Sequence, residues 1–209
     1  RFAATLIGQA GMFFDSHRDP GVRTQEMPLG NLIADILLAS AARSDQAVAA
    51  LINGGAIRTS LDAGDVTFEN ALNVLPFGNT LTVTDLKGEA LVAALDHGVA
   101  QPGAGAFPQV AGLKLRYCAN LPCTGALRFE GRVTELTVNS GPVDLTATYR
   151  IATNSFIAGG GDAYTMFKNA CVSGAYCRDT GLLELDLLVE EFKTRSPVIR
   201  NIEGRIVAQ

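Results

Sequence analysis

The sequence predicts an α+β domain with mixed or antiparallel sheets and helices outside. Three observations lead there. Apolar residues recur at two different periods along one chain, some segments at helical spacing and others alternating. The two kinds of segment do not follow a clean βαβ order, which argues against an all-parallel sheet. With 209 residues, 47% of them apolar, the chain can build a proper core in one large domain or two small ones.

Taken in order, Leu29, Ile33, Ile36 and Leu37 fall on one face of a helix over about 29–42. Ala47 to Ile52 is a short apolar run that reads as a buried strand, stopped by Asn53-Gly54-Gly55. Thr67 can cap a short helix that runs to Leu75, where Pro76 ends it. Leu81 to Leu86 alternates like a strand, and Glu89 to His97 places Leu91, Ala94 and Leu95 on one helical face. Leu113, Leu115 and Tyr117 alternate, Val133, Leu136 and Val138 do so less strictly, and Tyr149 to Ala152 is a further strand. After Thr180, a helix over about 183–194 turns Leu185, Leu188, Val189 and Phe192 inward.

Composition narrows the function. The net charge of −4 argues against a general nucleic-acid binder, which needs a basic face to displace counterions. No apolar run approaches the roughly 18 residues of a membrane span. The chain opens at Arg1 in mid-pattern, without an initiator Met or a signal peptide, as a processed protein or an excised fragment would. Four cysteines form two close pairs, Cys118 with Cys123 and Cys171 with Cys177. Two small disulfide loops in a secreted protein are the favoured reading, with free thiols and a metal site as alternatives. The spacings are wider than in a zinc knuckle and no histidine is near. Oxidised pairs imply a periplasmic or extracellular location.

Four loops carry polar or aromatic residues that core packing does not demand: "GVRTQEMPLGN" with Arg23, "NGGAIR" with Asn53 and Arg58, "LPFGN" with Phe77 and Asn79, and "TNSFIAGGGDAY" with Phe156 and Asp162. Arginine offers a planar fork of donors suited to phosphate or carboxylate. A ring on a turn offers a flat face to a base. An aspartate beside glycines can accept from vicinal hydroxyls. Each residue also has a plainer reading: Asn53 as a turn residue tolerant of left-handed geometry, the arginines in surface ion pairs, Phe77 packed into the core, Asp162 closing a turn. Together they suggest a site for a small, anionic, aromatic ligand. Catalysis is not signalled. His17 in "FDSHRD" lacks converging ligands and reads as solvated or structural; His97 and its neighbour Asp96 do not face each other on a helix.

The stretches "EMPLGNLIADILL", "INGGAIRTSLDAGDVTFENALNVLPFGNTL", "LKGEALVAALDHGV", "GAFPQVAGLKLRY", "ATNSFIAGGGDAYTMF" and the late "EGRI" resemble, in this order, the C-terminal domain of the 5′-nucleotidase family. That family includes bacterial periplasmic UDP-sugar hydrolase/5′-nucleotidases and animal ecto-5′-nucleotidase. The resemblance covers most of the chain from about residue 23. It implies a four-layer α/β/β/α substrate-binding domain at 23–209, with 1–22 an N-terminal extension or interdomain linker. It implies that Phe77 and Phe156 sandwich a base, Asp162 takes the ribose hydroxyls and Arg23 and Arg58 hold phosphate. Asn53 and Asn79 would make polar contacts near the base, and Gly105 would line the pocket. The partner would be an N-terminal metallophosphatase domain holding two divalent metal ions, whose motifs this chain lacks; joined to it the chain would act as a hydrolase, and alone it would not be catalytic. A stand-alone nucleotide- or nucleoside-binding module is the alternative. Some members carry further arginines where this chain has Gln25 and Met27, and glycine is frequent where it has Ala163.

Overall fold

The structure, a computed structural model, describes residues 3–209. Its centre is a mixed five-stranded sheet. In sheet order the strands are β10 (Cys177–Leu183), β4 (Thr80–Lys87), β9 (Thr148–Asn154), β2 (Ala49–Asn53) and β5 (Pro108–Ala111). β2 and β9 run parallel; the other neighbours are antiparallel. Every residue of β2 is buried, because both faces of the sheet are covered. On one face Ala50, Ile52, Leu81 and Val83 meet α1 (Pro28–Asp45) and α6 (Glu184–Arg195) in one apolar core. On the other, Ala49, Leu51, Val110 and Ile151 share a second core with α3 (Gly88–Val99), α5 (Thr165–Val172) and the inner face of a four-stranded sheet. That sheet has the order β11 (Ile206–Ala208), β6 (Leu113–Tyr117), β7 (Val133–Val138) and β8 (Gly141–Pro142). The α+β class and the mixed sheets agree with the sequence.

Local chemistry explains the elements. Leu113, Leu115 and Tyr117 are buried while Lys114 and Arg116 between them are exposed, the period-2 pattern of a half-covered strand. The short helix α2 (Phe68–Val74) is capped by Thr67, whose hydroxyl accepts from the Asn70 N–H while the Asn70 side chain accepts from the Thr67 N–H. It stops before Pro76, as the sequence indicates. Thr180 lies within β10, its hydroxyl donating to Leu81 O at 2.8 Å, and α6 starts after Leu183.

Residues 6–22, assigned from the sequence to an extension or linker, pack as part of the first core. β1 (Leu6–Ala10) pairs antiparallel with β3 (Gly64–Thr67), Phe14 and Val22 are fully buried, and the Gly11 N–H donates to Val198 O at 2.8 Å. At the end of the central sheet where β4 stops and β9 starts, Arg150 makes a two-pronged bond to Asp85, at 2.8 and 3.0 Å, and lies over the Tyr176 ring. Arg178 pairs with the buried Asp45 beside it. This pairing outweighs burial and holds the Asp45 carboxyl well below the usual carboxylate range. The sulfurs of Cys171 and Cys177 sit at bonding distance next to this cluster, and those of Cys118 and Cys123 do so in the loop after β6.

Candidate functional site

Strand polarity decides where the polar loops meet. The C-terminal ends of β2 and β9 and the N-terminal ends of β4 and β5 share one rim of the central sheet, because Asn53 lies across from Pro108 and Leu81 across from Asn154. Asn53 closes β2, Asn79 precedes β4, Gly105 precedes β5, and Phe156 and Asp162 follow β9. Arg23, Asn53, Arg58, Phe77, Asn79, Gly105, Phe156 and Asp162 all line a single cleft of about 530 Å³, together with Gly55 and Ala56, which the sequence reading passed over. No other of the clefts described includes any of the eight.

The plainer readings of Phe77, Asn53 and the two arginines do not hold, whereas Asp162 does stand in a turn. Phe77 is 57% exposed and Phe156 44%, and neither belongs to a core. Phe77 stands on a turn reversed by Gly78 at φ +66°, with the Arg58 guanidinium 5.6 Å from its ring centre. Phe156 lies in the one-turn helix α4 (Ser155–Ala158), whose cap is the Asn154 side chain accepting from Ile157 N–H at 2.9 Å. Its ring rests on Gly161: a Cβ there would stand 2.5 Å from the ring carbons. Asn53 is extended, at φ −87° and ψ 136°, so a left-handed turn is not why asparagine stands there.

Asn53 instead works through its side chain. Its Nδ2 donates to Asp162 Oδ2 at 2.8 Å, and its Oδ1 accepts from Asn154 Nδ2 at 3.3 Å. The Asp162 backbone is left-handed at φ +49°, as is Ala163 at φ +61°, the position where glycine would carry no strain. Gly105 leaves room for the carboxylate, since a Cβ there would come within 3.0 Å of Asp162 Oδ2. His97 supports the same loop from behind: its Nε2 bonds the Asp162 carbonyl at 2.7 Å and its ring meets Tyr164 edge-on. Asp96 points elsewhere, accepting from the N–H groups of Arg132 and Val133, so the two helix neighbours do act apart. Burial pushes the Tyr164 hydroxyl far above its usual range, and it donates to Ala106 O.

Neither Arg23 nor Arg58 forms an ion pair among the described residues. Arg23 Nε is buried without a hydrogen-bond partner. Burial, then the charges of Arg18 and Arg58, lower the Arg23 pKa, with Asp162 acting the other way. Two unpaired, mutually repelling guanidinium groups beside exposed rings make a cleft that gains from an anion. Arg18, whose charge also acts on Arg23, does not itself line the cleft. No group of three or more His, Cys, Asp or Glu side chains able to hold a metal exists among the described residues, and His17 is solvent-exposed beside Asp15. Among the described residues no helix is long and apolar enough to cross a membrane.

Residues 6–169 match the family described as 5′-nucleotidase, C-terminal domain. The chain is 39% identical over 208 residues to the trifunctional nucleotide phosphoesterase protein YfkN of Bacillus subtilis, covering 96% of this chain and 14% of that protein. It is 33% identical over 196 residues to the protein UshA of Escherichia coli, covering 92% of this chain and 32% of that one. Among solved structures, a 5′-nucleotidase precursor from Thermus thermophilus superposes with a TM-score of 0.90 at 38% identity, over 99% of this chain and 40% of the other. The chain thus spans well under half the length of each.

Proposed function

The chain belongs to the 5′-nucleotidase C-terminal-domain family, and from that premise we propose that it is the nucleotide-binding domain of a phosphoester hydrolase whose metal chemistry resides in a second domain. The observation that supports this most is the make-up of one cleft: two exposed rings, two unpaired arginines and an aspartate held open by an asparagine. Phe77 and Phe156 take the base between them, at about 1–3 kcal/mol per stacked face. Asp162 accepts from the ribose hydroxyls, its free lone pairs aimed by the Asn53 bond. Arg23 and Arg58 hold phosphate, and Asn53 and Asn79 meet polar atoms near the base. The site would bind and orient the nucleotide; a metallophosphatase domain with two divalent ions would supply the activation of water for attack on phosphorus. The domain by itself would bind without hydrolysing. The paired cysteines favour a periplasmic or extracellular compartment, in keeping with nucleotide catabolism there.

Calorimetric titration with adenosine, AMP and UMP tests the reading. Saturable binding that weakens at least about tenfold in Phe77→Ala and in Phe156→Ala, with AMP tighter than adenosine, is the expected result. Absence of binding at millimolar ligand, both by this domain and by the full-length protein, would overturn it. So would a loss of about 3 kcal/mol or more in stability on either truncation, the mark of a core ring.

A further inference from the structure

Glu184 is a carboxyl group to which nucleotide binding, as set out above, gives no task. It is the first residue of α6 and only 2% exposed. It also stands at the end of β10, the fifth strand to reach the cleft's rim: Leu183 pairs with Thr80, and the Glu184 N–H donates to Asn79 O at 3.0 Å. The side-chain amides of Asn154 and Asn79 lie close enough to draw its pKa down against burial, and Oε1 has no hydrogen-bond partner. Charged groups on the elements packed around it, Asp186 on α6, Asp179 and Arg178 on β10, Glu69 on α2 and Asp35 on α1, are not among the groups that shift it.

The two amides differ in freedom. Asn154 is locked, its Oδ1 accepting from Ile157 N–H and its Nδ2 donating to Asn53, which in turn donates to Asp162. No hydrogen bond of that kind fixes the Asn79 amide among the described residues, and Asn79 lines the cleft. We propose that Glu184 is a positioning residue whose proton state decides which atom of the Asn79 amide faces the cleft, and so which edge of a heterocyclic base is preferred. A carboxylate can only accept: it draws the Asn79 N–H inward and leaves Oδ1 to accept from an exocyclic amino group. A protonated acid donates its O–H to Asn79 Oδ1 and turns the amide NH₂ to the cleft, where it suits a carbonyl or ring nitrogen. Burial lifts the Glu184 pKa to about 7, so both forms exist near neutrality.

The proposal rests on the nucleotide-binding reading for its ligand but not for its first readout. In the ligand-free domain, NMR should show the Asn79 side-chain amide titrating near pH 7 in wild type and flat in Glu184→Gln. In wild type, affinity for adenosine relative to uridine should rise about fivefold from about pH 5.5 to about pH 8, one hydrogen bond's worth, and the ratio should be flat in the variant. An Asn79 amide that does not titrate in wild type overturns the proposal whether or not nucleosides bind, and so does a pH-independent affinity ratio. An amide that titrates while neither nucleoside binds upholds the coupling and removes the nucleotide reading instead.

Discussion

Glutamine at position 184 should make the domain gain stability over wild type as pH rises, and the size of that gain follows from burial. The folded carboxyl is raised from 4.5 to about 7, chiefly by desolvation. Between those values the folded chain keeps a proton that the unfolded chain has released. The native state is therefore favoured at low pH and progressively loses that advantage as pH rises, until the loss levels off above the folded pKa. The whole difference is worth about 3 kcal/mol, of which roughly 2.5 kcal/mol falls between about pH 5 and about pH 8. A carboxylate in the first turn of α6 gains from the helix dipole, but by about 1 kcal/mol at most in ordinary settings, so burial decides the sign. Glutamine keeps the shape and cannot ionise. Denaturant unfolding of both proteins at the two pH values gives the variant-minus-wild-type difference directly. It should grow by about 2–3 kcal/mol from acid to alkaline, or roughly 5–10 °C in Tm for a domain of this size. A difference that stays constant with pH would refute the reasoning, because it would mean that the carboxyl is solvated or already paired.

Three further outcomes test other parts of the structure. Gly105→Ala puts a methyl 3.0 Å from Asp162 Oδ2 and should lower nucleoside affinity about tenfold by calorimetry while shifting stability by less than about 1 kcal/mol. Ala163→Gly removes a left-handed alanine at φ +61°, a strain of about 1–2 kcal/mol that glycine's extra freedom in the unfolded chain partly offsets; chemical denaturation should show a gain of up to about 1 kcal/mol. Replacing Cys171 and Cys177 together by serine opens a loop of sequence separation 6 and should cost about 2 kcal/mol, with nucleoside affinity unchanged because the pair sits at the opposite end of β10 from the cleft.

What was legible in the sequence depended on how local the signal was. α1, α3, β4 and β6 were readable because each carries its own apolar period, and α2 because Thr67 and Pro76 bracket it. β1 and β3 were missed: they are short and are strands only because they pair across more than fifty residues. β10 was missed because its pattern of exposure is irregular and a bulge interrupts its register with β4. The rings, arginines and aspartate of the cleft stood out because such residues on glycine-rich turns have no use in a core, whereas Gly105 was named only through the family resemblance. His97 and Glu184 did not, since both read as ordinary helix positions; their importance lies in what stands opposite them, the Asp162 carbonyl and Asn79. The 6–22 segment shows the same limit. Nothing local in it announces that Phe14 will be fully buried.

The common rim of the central sheet also sets what variation the domain can absorb. The side chains lining the cleft stand at strand ends and on the turns beyond them, while the ion pairs Arg150–Asp85, between β9 and β4, and Arg178–Asp45, between β10 and α1, sit at the far end. Changes at Phe77, Asn79 and Phe156, whose side chains lie outside both apolar cores, can therefore trade one ligand for another with little effect on the interactions on which folding depends. A library confined to those positions is a search through specificities on a fixed frame, and its members should melt within a few degrees of one another however differently they bind.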